Sequence, residues 1–439
     1  MNRTLNIFFL IVLMLIAHQN ATAQTNGSNS PYSRYGFGLL SDGGQGFNKG
    51  MAGVAYGMSD GQQINYKNPA SYADLDSLSM ILDMGLTLQN ANLKQGGRSM
   101  NARNTSIDYL AAGFSLRKNL GLSLGFMPFS TVGYKMSSTA PLNAGTSNVT
   151  QTQSYTGNGG THSVYAGIGW RPISQLAVGA NIAYFWGSLS HSVTASFSDA
   201  GIDSHKRVYE ADISTYKLDF GVQYTQAITA KDKLTLGLTY SLGHDIPNSA
   251  KYYNQRISSS NVASADTQLV SKAFSLPHTF GAGLAWKHNE NLRIGLDYTL
   301  QLWERLKFPG LKDNDVFSAE ANSFNNLHKI AGGVEYIPNP SRATKWHQLI
   351  RYRAGISYTS SYIKVDGKDG PNSFLVSAGV GLPIVNKWRN NGNRFTMLNI
   401  SAQYERVAPR HSGMITENYL RLTVGLTFDE RWFWKLKVK

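Results

Sequence analysis

Leu292-Arg293-Ile294-Gly295-Leu296-Asp297-Tyr298-Thr299-Leu300-Gln301-Leu302 is the stretch that decides the fold class. Every second residue is Leu, Ile or Tyr, and the residues between them are Arg, Gly, Asp, Thr and Gln. A period of two puts one set on each face of an extended strand. The run is about ten residues long, which is what a tilted strand needs to cross a bilayer; a soluble strand averages about five or six. Leu176, Val178, Ala180, Ile182, Tyr184 and Trp186 repeat the pattern, as do Leu234, Leu236, Leu238, Tyr240 and Leu242. So do Leu420, Leu422, Val424, Leu426 and Phe428, set against Tyr419, Arg421, Thr423, Gly425 and Thr427. Aromatic residues gather near run ends, which suits the interfacial girdles of a membrane barrel.

About fourteen such runs are readable, near 79–89, 107–117, 120–128, 161–171, 176–187, 213–226, 233–243, 276–287, 292–303, 327–337, 349–362, 372–382, 395–405 and 415–428. Long connections at 90–106, 129–160, 188–212, 244–275 and 304–326 alternate with short ones such as Lys118-Asn119 and His288 to Asn291. The expected fold is all-β: a transmembrane antiparallel β-barrel over 79–428, with long connections outside and both ends periplasmic. Residues 429–439 form an expected periplasmic or interfacial tail, in which Trp432, Phe433 and Trp434 lie among bases.

Composition agrees. Charged residues make up 15% of the chain, well below the soluble norm of about 25%. The mean hydropathy is nevertheless −0.26, and one long apolar run is present, from Leu5 to Ala17. That run follows Arg3 and precedes Ala21-Thr22-Ala23. The pattern is that of a cleaved signal peptide over 1–23, and the run falls short of the ~20 residues of a spanning helix. With no cysteine there is neither lipid attachment nor a disulfide framework. The leader carries one base and no acid, so its removal lowers the net charge only from +14 to +13. For an exported chain the expected counterparts are outer-membrane lipid and lipopolysaccharide headgroups, or anionic solutes in a pore, rather than nucleic acid.

Residues 24–78 do not alternate. Glycines at 36, 38, 43, 44, 46, 50, 53, 57 and 61 are interleaved with Phe, Met and Tyr, a composition suited to a compact, tightly turning plug. Within it, Gly50-Met51-Ala52-Gly53-Val54-Ala55-Tyr56-Gly57-Met58-Ser59-Asp60 leads to Tyr66-Lys67-Asn68-Pro69-Ala70. This order resembles the N-terminal signature of the FadL-type outer-membrane channels. The resemblance implies a hatch over 24–78 that closes the lumen, and passive uptake of fatty acids or hydrocarbons. A ligand would pass from the outer loops to a pocket between hatch and wall, then sideways into lipid at a kink in the third strand. In this chain the third run contains Gly121, Gly125 and Pro128; glycine permits a bulge and proline removes a ladder donor. Gly125 and Pro128 are therefore lateral-opening candidates, although Pro128 also suits a strand end at the outer rim. Phe37, Phe47, Met51, Met58, Met127 and Phe129 are candidates for an apolar ligand pocket, and each also suits plain packing within the plug. Asn68, Pro69 and Ala70 form the hatch motif.

Gly57-Met58-Ser59-Asp60-Gly61 fits a nucleophile-elbow pattern, but no strand precedes it and no His–acid pair accompanies it. No metal-ligand spacing or phosphate loop is present in the sequence. The expectation is a non-enzyme without cofactor or metal. Two functions remain: uptake of hydrophobic small molecules, and a non-transporting scaffold subunit of an outer-membrane secretion or assembly complex. A hydrophobic lumen continuous with a wall gap favours the first, and a sealed lumen the second.

Overall fold

The computed structural model describes residues 28–144, 147–258, 261–311, 317–340, 345–384 and 396–431. The expected leader and the expected tail beyond Arg431 lie outside the described residues.

The wall is a closed barrel of fourteen strands, and each expected run falls on one of them. They are β1 Ser79–Gln95, β2 Arg98–Arg117, β3 Leu120–Ala144, β4 Ser147–Ile173, β5 Leu176–Phe197, β6 Ser204–Ala227 and β7 Asp232–Ser241. They continue with β8 Thr279–His288, β9 Leu292–Gln301, β10 Leu327–Tyr336, β11 Arg351–Thr359, β12 Asn372–Ile384, β13 Thr396–Ala408 and β14 Thr416–Arg431. Each strand pairs antiparallel with its neighbours in chain order, and β1 closes on β14 through Leu86↔Val424 and the rungs around it. Closure leaves no lipid-facing edge of unpaired backbone. The last strand runs to Arg431, so the first three residues expected in the tail belong to the wall.

The alternation has its expected consequence. Leu236, Leu284 and Leu296 face one another across β7, β8 and β9, and all three are exposed on the outer surface. The intervening Gly237 and Asp297 are buried inside. At the short-turn end, Lys118-Asn119 joins β2 to β3, with Asn119 at φ 68°. Asn tolerates this left-handed conformation, which matches a two-residue hairpin to the strand twist.

The connections differ from expectation. Residues 129–160 are expected to be loop but carry β3 and β4 far beyond the apolar band, and β5 and β6 likewise consume most of 188–212. These extensions are rich in Ser, Thr, Val and Tyr. Such residues favour strands, but the outward face carries residues such as Lys135 and Ser137 in place of the aliphatic row of a spanning run, while Val132, Tyr134 and Leu189 are buried inside. The connection 244–275 contains a hairpin, Ala250–Ser258 with Asn261–Val270, whose first strand pairs with β6 through Tyr252↔Tyr209.

Candidate functional site: the lumen and the parting of the wall

Residues 28–78 are seated against the inner face of the wall on every side. Ala55 N and Tyr56 N donate to Asp297 Oδ2 on β9 at 2.6 and 3.0 Å. Ala52 N donates to Ser377 Oγ on β12 at 2.8 Å, and Gly46 N to the Tyr109 hydroxyl on β2 at 2.8 Å. The Asn68-Pro69-Ala70 stretch opens a short 3-10 helix, Pro69–Asp74, with Asn68 as its cap and Pro69 where a missing N–H costs nothing. Asn68 Oδ1 accepts from Ala70 N, and its Nδ2 donates to Tyr56 O at 2.8 Å. One motif thereby ties the two halves of the segment together.

The close fit depends on inward-facing glycines. A Cβ at Gly237 would stand 1.9 Å from Tyr56 O, and one at Gly179 2.4 Å from the Pro69 carbonyl carbon. At Gly355 it would stand 2.4 Å from the Met51 carbonyl carbon. Backbone meets backbone at all three positions, so no side chain fits between wall and segment.

Charge pairs complete the contact toward the short-turn end. Asp60 accepts from Arg293 Nη1 at 2.8 Å and Arg351 Nη1 at 2.6 Å. Glu335 accepts from Arg353 Nε at 2.7 Å, and Arg353 Nη1 reaches Asn399 Oδ1 at 2.7 Å. Burial pushes the Asp60 carboxyl up, but the Arg351 and Arg293 guanidiniums more than offset it and hold Asp60 well below the usual carboxylate range. A cavity of about 450 Å³ opens beside this cluster, lined by Asp60, Asp74, Arg171, Lys287, Arg293 and Arg351 among others. Its lining mixes these charged groups with Met58, Trp286, Ile337, Leu349 and Met397, so of the expected pocket residues Met58 reaches this cavity.

The six expected pocket residues fall into three places rather than one. Phe47, Met51 and Met58 pack together with Val54, Ala285 and Ala331. Met127 lies in a second cluster with Tyr72, Tyr109 and Tyr165. Phe37 and Phe129 meet edge to face, centroids 6.4 Å apart, in a third cluster. There Phe37 is fully buried, with Phe308, Trp303 and Phe274 centroids at 5.6, 5.8 and 6.1 Å. Tyr362 joins them and donates its hydroxyl to Gly38 O at 2.5 Å. Phe274, Phe308 and Phe324 stand in connections, where no period marks an inward face, and Trp303 and Tyr362, at the ends of the expected runs 292–303 and 349–362, lie just past the observed strand ends at Gln301 and Thr359.

The wall parts between β2 and β3. β2 and β3 pair from Arg117↔Leu120 as far as Leu110↔Phe126. Beyond that rung β2 stays on β1, and β3 stays on β4. A bulge bends each strand near the parting: Asp108 is skipped in the β1–β2 register, and Phe129 in the β3–β4 register. Pro128 therefore does not end the strand at the rim; β3 continues to Ala144. Gly125 sits on the rung next to the last, where a Cβ would stand 2.4 Å from Leu110 O. The N-terminal segment bridges the parting from inside. Leu39 and Leu40 pair with Thr131 and Ser130 as a two-residue strand, and Lys49 Nζ lies 2.8 Å from Asp108.

A family model described as BamG matches residues 3–439. The chain belongs to the BamG family. No curated protein matches it. Among solved structures it is similar to the CymD monoaromatic hydrocarbon channel: TM-score 0.59 at 14% identity, over 90% of this chain and 99% of that one. The Ralstonia pickettii toluene transporter TbuX gives 0.59 at 13% identity, over 89% and 99%. A Pseudomonas aeruginosa FadL homologue gives 0.58 at 14% identity, over 89% and 99%. At these identities the likeness is one of fold: this BamG-family chain is an outer-membrane β-barrel with the FadL-like architecture.

Proposed function

We propose that this BamG-family barrel is a closed, non-conducting subunit of an outer-membrane assembly complex, in which residues 24–78 act as a hatch and the long hairpins as docking surfaces. Its short turns lie in the periplasm. The filled lumen carries this reading. A hydrophobic solute needs a dry cavity, and the apolar space below the outer mouth is taken by Phe37 and the aromatic rings around it. The family name accords with a complex subunit. Passive uptake of fatty acids or aromatic hydrocarbons is the second reading. One observation favours it: β2 and β3 part above Phe126, where a solute could pass directly into lipid and gain about 0.8 kcal/mol per CH₂. Phe37, Phe47, Met51, Met58, Met127 and Phe129 would then have to move apart to form the pocket, with exit past Gly125 and Pro128.

Depletion of the protein tests the two readings together. The expected result is a loss of folded β-barrels from the outer membrane, with the intact protein purifying as a stoichiometric complex and silent in a planar bilayer. Saturable binding of dodecanoate or toluene, weakened by Phe47→Asp or Met58→Asp and without any stable complex, would overturn the assembly reading in favour of uptake. Deletion of 24–70 is expected to leave a folded barrel that conducts ions.

A further inference from the structure

Strand β2 is paired on both sides only up to Leu110; from Arg98 to Tyr109 it has β1 on one side and no strand on the other among the described residues. The N-terminal segment meets the facing edge of β3 at Ser130, Thr131 and Gly133, where Ser28 Oγ donates to Gly133 O at 2.9 Å and Gly133 N donates to Ser33 Oγ at 3.1 Å, and Asn29 Nδ2 donates to Asn104 Oδ1 on β2; past Gly133 that edge of β3 has no strand partner among the described residues. Two open edges thus flank one parting, and they run above the apolar band of the wall. Exposed Ile107 and Leu110 are the last large apolar residues on β2 before the polar stretch Ala102 to Ser106. Open edges template the pairing of a further chain unless they are blunted. This edge already takes a strand that is not part of the wall, because Leu39–Leu40 of the N-terminal segment pairs with Thr131 and Ser130.

Charge says which chain the rest of the edge suits. The β1–β2 hairpin carries Lys94, Arg98 and Arg103, and the β3–β4 hairpin carries Lys135. No Asp or Glu lies between Met84 and Ile107 or between Met127 and Thr161. All four bases are exposed, and none is ion-paired among the described residues. Single-sign charge on both sides of a slot attracts the opposite sign and repels its own.

We propose that this parting is a strand-addition site for an extended acidic segment of a partner protein, which pairs with the open edges of β2 and β3 and sets its carboxylates among Lys94, Arg98, Arg103 and Lys135. Backbone hydrogen bonds supply affinity and the bases supply selection. The proposal rests on the reading of the barrel as a subunit that holds partners.

The test uses the full-length protein in nanodiscs and a labelled peptide of about ten residues in which valine and glutamate alternate. Fluorescence anisotropy is expected to show saturable binding, with affinity lowered about tenfold or more in the Arg98→Ser, Arg103→Ser double variant. The same peptide with lysine for glutamate, or with every second backbone nitrogen methylated, is expected not to bind. The chain has no cysteine, so a peptide thiol can be trapped at single positions; Ser137→Cys is expected to cross-link and Thr267→Cys not to. Equal binding of the methylated peptide would reduce the site to a basic patch and overturn strand addition. Binding of anionic phosphatidylglycerol vesicles but not the peptide, lost in the same double variant, would make it a lipid surface and overturn it equally. Neither result would touch co-purification in a complex, so failure here is distinct from failure of the subunit reading.

Discussion

Gly237→Ala is the smallest change that separates the seating of the N-terminal segment from the pairing of the wall. Gly237 lies between the exposed Leu236 and Leu238, so the space a new Cβ would enter is the lumen. There it would stand 1.9 Å from Tyr56 O, 2.3 Å from Tyr56 C and 2.7 Å from Gly57 N. All three are backbone atoms, so no rotamer relieves the overlap, and the segment must retreat about 1.5 Å to reach ordinary contact. The Tyr56 carbonyl also accepts from Asn68 Nδ2 at 2.8 Å and Gln223 Nε2 at 2.9 Å. A retreat of that size breaks the bond from Gln223 on the wall, while Asn68 moves with the segment. Overpacking costs about 1–3 kcal/mol and the lost bond about 1 kcal/mol, so the seated state loses about 2–4 kcal/mol. The rungs Gly237↔Gly283 and Gln223↔Gly237 run along the sheet and are untouched. Trypsin is therefore expected to cut the variant at Lys49 and Lys67 far faster than the wild type, while the folded barrel keeps its heat-modifiable mobility on a gel. Leu238→Ala serves as the lipid-facing control. Wild-type protease resistance in Gly237→Ala would refute the close backbone fit; loss of the barrel band would show that the wall, not the segment, gives way.

Asp60→Asn removes the nearer of the two carboxylates that Arg293 and Arg351 share and leaves them Glu335 at 3.4 and 3.8 Å, so the loss falls below the about 3–5 kcal/mol of a buried pair left with no partner; segment proteolysis should rise with the barrel intact. Because the folded value of Asp60 is depressed, its contribution is full above the unfolded value and is lost as pH falls through the folded one. Protease resistance should thus stay constant from about pH 8 to pH 5 and drop only in acid well below about 3.9; a drop near neutrality would point to another group. Leu296→Arg, on the exposed face, should destabilise the barrel by about 2–4 kcal/mol in a lipid-refolding titration, whereas Thr423→Arg should act through crowding of the lumen. A tag between Ser258 and Asn261 should be labelled on intact cells and one at Asn119 should not; reversed labelling would invert the topology.

Strand number and facing were legible in the sequence because lipid enforces them: a residue such as Leu296 must be apolar and its neighbour Asp297 must turn inward, so the period of two is written into every spanning run. Local turns before the wall were legible for a similar reason, since Gly53, at φ 88°, and Pro69, at the start of a 3-10 helix, report backbone conformation locally. Tertiary structure alone decided what fills the lumen. Phe37 and Trp303 meet across more than half the chain, and Asp60 finds Arg293 and Arg351 from strands that no local pattern links to it. The parting of β2 from β3 was half visible, in Gly125 and Pro128, but the skipped residues Asp108 and Phe129 are not special as residue types. A bulge is set by how two strands register against third partners, and that is a property of the closed sheet rather than of any one stretch of chain.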